Sequence, residues 1–201
     1  MLFASGAARA EAPAASTPIV LGARIGRQSL YLEGDGAPAD LTGFVFAGDV
    51  ALRVGRHLSL AAVVETSAYG QRSDRVQPGP TATSYATFLE ARADTNPEGP
   101  LSLRLDVGTG CRWLVVPLDR GARDHFWGLE PLHLRLGPTY RVTHAVDVAA
   151  LGGFGFGWFS AHPGAGSCAV TGTCKDSLYD SDVQSAVHFV VDVSLALRGA
   201  L

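Results

Sequence analysis

The chain is poor in the features that mark several common protein classes. Its 201 residues include a single lysine, Lys175, and carry a net charge of −3, so the sequence offers no basic surface for nucleic acid. It has no run of 18 or more apolar residues, which excludes a transmembrane helix. A transmembrane β-barrel remains compatible with the sequence, because each barrel strand gives only a weak hydropathy signal.

Cysteine is also scarce, and the positions of the three cysteines are informative. Cys168 and Cys174 lie in a polar segment rich in Gly, Ser and Thr, which predicts a disulfide across a surface loop in an oxidising compartment. A metal site would need further ligands, and of these only His162 is near in sequence. Cys111 falls on an apolar phase and is expected to act as a small hydrophobe. We therefore expect neither a metal nor a cofactor.

The most informative feature that the chain does have is strict two-residue alternation. From Val183 to Leu197 every second residue is apolar, apart from Ser185. The residues between them form the other phase of the alternation, which carries His188 and Asp192 and continues to Arg198. A period of two predicts a β-strand, and this one is about twice the usual length in soluble domains. Eight segments follow the same rule: Ile19–Leu32, Thr42–Arg56, Leu58–Tyr69, Tyr85–Asp94, Leu101–Trp113, Leu132–Leu136, Val146–Trp158 and Val183–Leu197.

The first strand contains the clearest break in this alternation. Arg27 falls on the apolar phase, and Leu30 and Leu32 fall on the other phase. One extra residue in a bulge near Gln28 would restore the register, so we predict a bulge there. The connections after strands one, three, five and seven are predicted to be long and polar, and those after two, four and six short. Outer-membrane barrels show this asymmetry, with long external loops and short periplasmic turns.

The N-terminal residues are predicted to lie outside the fold. Ala8-Arg9-Ala10 before Glu11 has the small-x-small form of a signal-peptidase site, and a short apolar stretch precedes it. Residues 1–17 are thus either the remnant of a signal peptide or a disordered leader. Residues 18–201 form one domain, which we predict to be all-β: an eight-stranded antiparallel up-and-down transmembrane β-barrel with a polar, side-chain-filled lumen.

The charged phase is predicted to face the lumen, because each arginine that faced lipid at mid-membrane would cost roughly 2–4 kcal/mol. Positive and negative charges balance on this phase, and guanidinium groups pair with carboxylates through two hydrogen bonds. A barrel of eight strands is just wide enough for side chains to fill. The predicted lumen ion-pair network comprises Arg24, Asp49, Arg53, Glu65, Glu90, Arg92, Arg104, Asp106, Arg112, Arg135, Asp147 and Asp192.

Large aromatic residues cluster at one end of the opposite phase. Once strand directions are assigned, they fall near the long loops, where an aromatic girdle would meet the outer headgroup layer. A general preference of aromatic residues for strands would instead scatter them along the strands. The predicted girdle consists of Phe44, Phe46, Tyr85, Trp113, Phe126, Phe156 and Trp158.

By this strand pattern and loop asymmetry the sequence resembles the small eight-stranded outer-membrane barrels of the OmpA/OmpX-like type, over about residues 18–201. The resemblance implies a monomer in the outer membrane of a Gram-negative cell envelope, surrounded by outer-membrane lipid. We expect a non-enzymatic role, either structural or in binding an external ligand or protein through the long loops.

Two other functional classes remain open from the sequence. A soluble lipocalin-like barrel would bind an apolar ligand and reverse the pattern, with apolar residues inside and charges outside. A barrel enzyme embedded in the membrane, such as one that acts on lipids or a protease, would use His133 or His188 as candidate catalytic side chains, but a nucleophile is missing. His188 and Asp192 lie four residues apart, about 13 Å along a strand. No Gly-x-Ser-x-Gly motif is present, and Ser185 falls on the phase opposite to His188.

Overall fold

The computed structural model describes residues 19–33, 39–71, 82–117, 123–162 and 185–201. These ranges contain eight long strands and, among the described residues, no helix long and apolar enough to cross a membrane. The strands are β1 (Ile19–Glu33), β2 (Ala39–Arg53), β3 (Leu58–Gln71), β4 (Ala82–Asp94), β5 (Leu101–Pro117), β6 (Arg123–Arg141), β7 (Val146–His162) and β8 (Ser185–Ala200).

The eight strands form a closed barrel in which each strand pairs with its neighbours in the sequence. All pairs are antiparallel, and β1 also pairs with β8, where Val20 lies opposite Ala200. Closure leaves no strand edge with unpaired backbone groups. The structure therefore confirms the predicted eight-stranded, antiparallel, up-and-down β-barrel.

Two-residue alternation separates the two faces of the barrel wall. On β4, Leu89 points outward with 70% of its surface exposed, while the adjacent Glu90 is 2% exposed in the lumen. The same contrast recurs on β8, where Val193 is 69% exposed and Asp192 is 2% exposed. Apolar side chains thus cover the outside and polar ones fill much of the inside, as the charge pattern predicts.

The predicted bulge near Gln28 is wrong. β1 pairs with β2 and with β8 in continuous register from Val20 through Leu32. Arg27 consequently points outward, while Leu30 and Leu32 are buried inside the barrel. The inward-facing residues of β1 change from polar to apolar along the strand, while the strand keeps its register. No extra residue is therefore needed.

The irregularity that does occur lies in β6. Register shifts fall between Leu129 and Leu132 on one side of this strand and opposite Gly108 and Gly110 on the other. Pro131 at this point cannot donate a ladder hydrogen bond. The shift reverses the phase of the first half of β6, so Phe126 is 5% exposed in the lumen. Its placement in the outer girdle is therefore incorrect, and Trp127 points outward instead.

The connection lengths only partly match the predicted asymmetry. Residues 72–81 separate β3 from β4, and residues 163–184 separate β7 from β8. The other two connections at this end span only residues 34–38 and 118–122, because β2 begins earlier and β5 continues further than predicted. At the opposite end the connections are residues 54–57, 95–100 and 142–145. We call these the loop end and the turn end of the barrel.

Candidate functional site

The middle of the lumen is organised around one carboxylate. Glu65 on β3 accepts hydrogen bonds from Arg24 at 2.9 Å, Arg112 at 3.1 Å, Arg135 at 2.8 Å and the Gln28 amide at 2.9 Å. Its side chain is fully buried, and the three arginine side chains are at most 4% exposed. A buried charge is tolerated when it is paired and its lone pairs are satisfied, and Glu65 meets both conditions.

A second carboxylate extends this network toward the turn end. Glu90 on β4 accepts hydrogen bonds from Arg135 at 2.6 Å and from Arg92 at 2.9 Å. Arg92 also donates to Asp49 on β2 at 2.5 Å, and Arg135 lies 3.5 Å from Asp192 on β8. Together with the contacts of Glu65, these contacts join seven of the eight strands across the lumen, so the charged layer connects opposite walls of the barrel.

A third carboxylate, Glu130, was not among the predicted network residues. It accepts a hydrogen bond from Arg112 at 2.8 Å and one from His133 at 2.5 Å, and its carboxylate lies 3.5 Å from His188. The bulge at Pro131 places Glu130 and His133 on the same face although they are three residues apart. The Glu130-Pro131 dipeptide in the middle of an alternating segment was the only feature of the sequence that indicated this bulge.

The predicted network residues do not all join one cluster. Eight of them form the connected central layer: Arg24, Asp49, Glu65, Glu90, Arg92, Arg112, Arg135 and Asp192.

The remaining four predicted network residues have other partners. Arg104 and Asp106 form a pair of their own, at 2.6 Å. Asp147 lies at the turn end, 3.3 Å from Arg141 and 3.5 Å from Arg198. Arg53 is half-buried at the same end and forms no ion pair with any described residue.

Above the charged layer, the lumen at the loop end is apolar. Phe126 and Phe159 meet there edge to face with ring centroids 6.3 Å apart. Tyr69 marks the boundary, because its hydroxyl bonds to Gln28 and lies 3.3 Å from that of Ser84. We call this group the apolar cap; its members are Leu30, Leu32, Leu41, Tyr69, Ala82, Leu114, Val116, Phe126, Phe159, Ala186 and Val190.

The two lumen histidines both lie next to Glu130. His188 is 0% exposed and stacks on Phe159 with ring centroids 4.2 Å apart. His133 is 1% exposed and contacts Phe88 at 4.5 Å. Both rings are therefore enclosed by aromatic side chains on one side and by Glu130 on the other. The described residues contain no group of three or more His, Cys, Asp or Glu side chains placed to hold a metal ion.

The outer surface carries the residues of the predicted aromatic girdle, apart from Phe126. The exposed members near the loop end are Phe44, Phe46, Tyr85, Trp113 and Trp158, and Phe156 is half-exposed. Tyr85 and Trp113 are direct cross-strand partners. Their role as a girdle in a lipid headgroup layer remains a prediction.

The cysteine predictions are only partly accessible in the structure. Cys168 and Cys174 lie outside the described residues, as does the leader at residues 1–17. Cys111 is a free thiol that points outward from β5 and is half-buried. Its position on the apolar face agrees with the sequence pattern.

Comparisons with known proteins bear on the fold. No protein-family model and no curated protein sequence matches this chain. Among solved structures, Neisserial surface protein A is similar over 92% of this chain and 99% of its own, with a TM-score of 0.56 and 15% identity.

Two further barrels are more distant in structure. Ail, the attachment invasion locus protein of Yersinia pestis, covers 90% of this chain and 98% of its own (TM-score 0.44, 11% identity). The outer membrane protein OprG of Pseudomonas aeruginosa covers 92% and 98% (TM-score 0.43, 8% identity). The similarity to Neisserial surface protein A establishes that this chain has the fold of a small bacterial outer-membrane barrel.

Proposed function

We propose that this chain is a non-enzymatic integral protein of the bacterial outer membrane, a monomer that spans the lipid and presents its loop-end connections outside. The observation that carries the proposal is the inverted distribution of polarity. Arginine and glutamate side chains fill the lumen, while leucine, valine and aromatic side chains cover the exterior. A bilayer is the environment that stabilises such an exterior, because contiguous apolar surface of this extent is rare on soluble monomers.

Strand length supports the same proposal. The strands have 13 to 19 residues, whereas about 9–11 tilted residues suffice to cross the hydrocarbon core. Each strand can therefore cross the membrane and still extend beyond it. The outer leaflet would surround the loop end, where the exposed aromatic residues gather, and the turn end would face the periplasm.

The lipocalin-like alternative requires an apolar lumen that can accept a ligand. The apolar cap is the largest of the three apolar clusters in the described part of the lumen, and the members of each cluster are already packed against each other. Arginine and carboxylate side chains occupy the layer beneath it. The lumen composition therefore favours the membrane protein over the soluble carrier.

The enzyme alternative would use His133 or His188. Both are buried in the lumen, and His188 is stacked against Phe159 of the cap. A general base must reach the proton that it removes from the substrate. A structural role in the lumen explains their position, so we propose no catalysis; an altered lipid A profile that depends on His188 in a His188→Ala strain would overturn this.

The decisive experiment is heat modifiability combined with a substitution on the outer face. Purified protein in detergent is compared on a gel with and without boiling, and a fast-migrating unboiled band is expected from the closed barrel. Leu89→Arg should reduce insertion into lipid vesicles, because arginine at mid-membrane costs roughly 2–4 kcal/mol. Leu89→Ala is the matched control and should insert normally. Protein that stays soluble without detergent and shows no shift contradicts the proposal.

Conductance tests the filled lumen separately. The central layer joins β1, β3, β4, β5 and β6 through contacts to Glu65 and Glu90. Pure protein in a planar bilayer is expected to show no steady single-channel current. Reproducible open-channel steps from the wild-type protein would mean that the lumen is not closed under these conditions.

A further inference from the structure

One charged side chain interrupts the apolar exterior of the barrel in the middle of a strand. Arg27 points outward from β1 and is exposed. Its direct cross-strand partners are Phe44 on β2 and Val193 on β8, which are 58% and 69% exposed. Arg27 forms no ion pair with any described residue, in contrast to the central lumen arginines. Among the described residues, Arg27 is therefore a guanidinium on the outer surface that has no ion-pair partner.

Two hydroxyl groups lie next to Arg27 on its loop-end side. Ser29 and Thr42 are cross-strand partners that both point outward, and their side-chain oxygens are 3.1 Å apart. Arg27 is level with Phe44, one of the exposed aromatic residues near the loop end. These three polar groups thus form a small polar patch among the exposed aromatic and apolar residues near the loop end.

Below the polar patch, toward the turn end, the exterior is indented. An open groove of about 620 Å³ begins at Ile25, the next outward residue after Arg27. Ala23 and Gly48 lie opposite each other in its floor, and Phe46 and Leu195 form part of its walls. A Cβ added at Gly48 would meet no other atom within 4 Å, so the floor is open to the outside.

The distance from the polar patch to the floor of the groove is close to the depth of one leaflet of a bilayer. Arg27 and Ala23 are four residues apart, about 13 Å along the strand. The apolar band of an outer-membrane barrel is about 25 Å tall, so half of it is close to this length. A chain that lay in the groove with its polar end at Arg27 would occupy the leaflet on the loop-end side.

A phosphate ester is the chemical group that best fits the polar patch. A guanidinium binds phosphate oxygens through two parallel hydrogen bonds, and neighbouring hydroxyls can donate to the remaining oxygens. The cost of an exposed arginine falls to about 0–1 kcal/mol near the membrane interface, where its charge can reach the headgroup layer. A carboxylate from the protein itself is absent around Arg27 among the described residues.

We infer that Arg27, Ser29 and Thr42 bind the phosphate of a phosphorylated, acylated lipid of the outer leaflet, with one acyl chain in the groove over Ala23 and Gly48. This inference rests on the proposed membrane location. It assigns the bound lipid to one site on β1, β2 and β8 rather than to the whole circumference of the barrel.

Native mass spectrometry of the protein in detergent, with added bisphosphorylated lipid A, tests this site. Wild-type protein is expected to retain one lipid molecule. Arg27→Gln should weaken retention about tenfold, because a charged hydrogen-bonding pair is lost. Arg27→Lys retains the charge but lacks the two-point geometry and should give an intermediate value. Arg56→Gln is the matched control, since Arg56 pairs with Glu98 in an exposed contact at the turn end.

The lipid supplies a second test that requires no variant. Wild-type protein should retain dephosphorylated lipid A about as weakly as Arg27→Gln retains the phosphorylated form. Equal retention of the two lipids, or equal retention by Arg27→Gln and Arg56→Gln, would overturn the site. Displacement of the lipid by millimolar inorganic phosphate would also overturn the assignment to a lipid and indicate free phosphate.

The same samples separate this inference from the proposed function. Each preparation is also analysed for heat modifiability and for insertion into vesicles. A barrel that inserts normally but retains no lipid overturns the lipid site alone. A protein that fails to insert overturns the membrane location and, with it, the lipid site.

Discussion

The apolar cap and the charged layer occupy the same lumen and are built from the same strands, yet they are held together by different forces. On β1, Arg24 and Gln28 belong to the charged layer, and Leu30 and Leu32 belong to the cap. The charged layer is stabilised by directed contacts that lose much of their value if one partner is removed. The cap is stabilised by burial and close packing, which relax more gradually when atoms are lost. Mutations should therefore affect the two regions to different degrees.

The largest effect is expected from Glu65→Gln in the charged layer. The change leaves Arg24, Arg112 and Arg135 next to a neutral amide and without this shared carboxylate. Removing one partner from a buried ion pair costs roughly 3–5 kcal/mol. The urea midpoint of unfolding in detergent, followed by tryptophan fluorescence, should fall strongly.

Glu98→Gln is the control for this change of charge. Glu98 pairs with Arg56 at 2.9 Å, but both side chains are about two-thirds exposed. Exposed pairs contribute about 0–1 kcal/mol, so the midpoint should hardly move. Equal midpoints for Glu65→Gln and Glu98→Gln would show that the lumen network is solvated and contributes little.

The next largest effect is expected from Leu30→Ala in the cap. Leu30 is 0% exposed and contributes only apolar atoms. Truncation of a buried leucine costs roughly 2–5 kcal/mol, and we expect the lower part of that range because the cap lies near the end of the barrel and can relax. The urea midpoint should fall by less than in Glu65→Gln. A larger loss in Leu30→Ala would reverse the proposed ranking of the two regions.

The contrast between these regions also explains which parts of the fold were predictable from the sequence. Alternation indicates which side chains share a face. Together with the turn signals and the cost of placing arginine in lipid, it predicted eight strands, their antiparallel order and eight members of the central charged layer. It carries no information on depth along the barrel. The inward-facing Leu30 was therefore interpreted as a break in register. Arg27 was interpreted as part of the same break, although it is a charged residue that points outward.

The local geometry of β6 could not be predicted in the same way. A bulge changes the phase of all residues on one side of it, and its position depends on pairing with both neighbouring strands. Glu130 and Phe126 were missed or misplaced for this single reason. Gln28 and Tyr69 were missed because neutral polar side chains give no charge signal, although they join the cap to the charged layer.

A smaller effect is expected from adding one methyl group to the packed lumen. A Cβ at Gly155 would collide with the Glu130 carboxylate and lie 3.3 Å from Nδ1 of His133. Overpacking costs typically 1–3 kcal/mol, so Gly155→Ala should lower the urea midpoint moderately. Gly152→Ala is the control on the outer face, where the nearest atom is the Leu136 carbonyl oxygen at 3.9 Å. If Gly155→Ala is as stable as Gly152→Ala, the lumen around Glu130 is looser than the structure indicates.

The smallest effect is expected at the boundary between the two regions, from Tyr69→Phe. This change keeps the ring in the cap and removes only the hydroxyl that bonds to Gln28 and approaches Ser84. A hydrogen bond of this kind contributes about 0.5–1.5 kcal/mol net, which sets the expected loss in unfolding free energy. Gln28 keeps its contacts with Glu65 and Ser67, so the charged layer should remain intact. The double variant Tyr69→Phe/Glu65→Gln measures the coupling between the two regions directly. Additive losses of unfolding free energy would show that the cap and the charged layer are independent. A combined loss smaller than the sum would show that the two regions are coupled through Gln28.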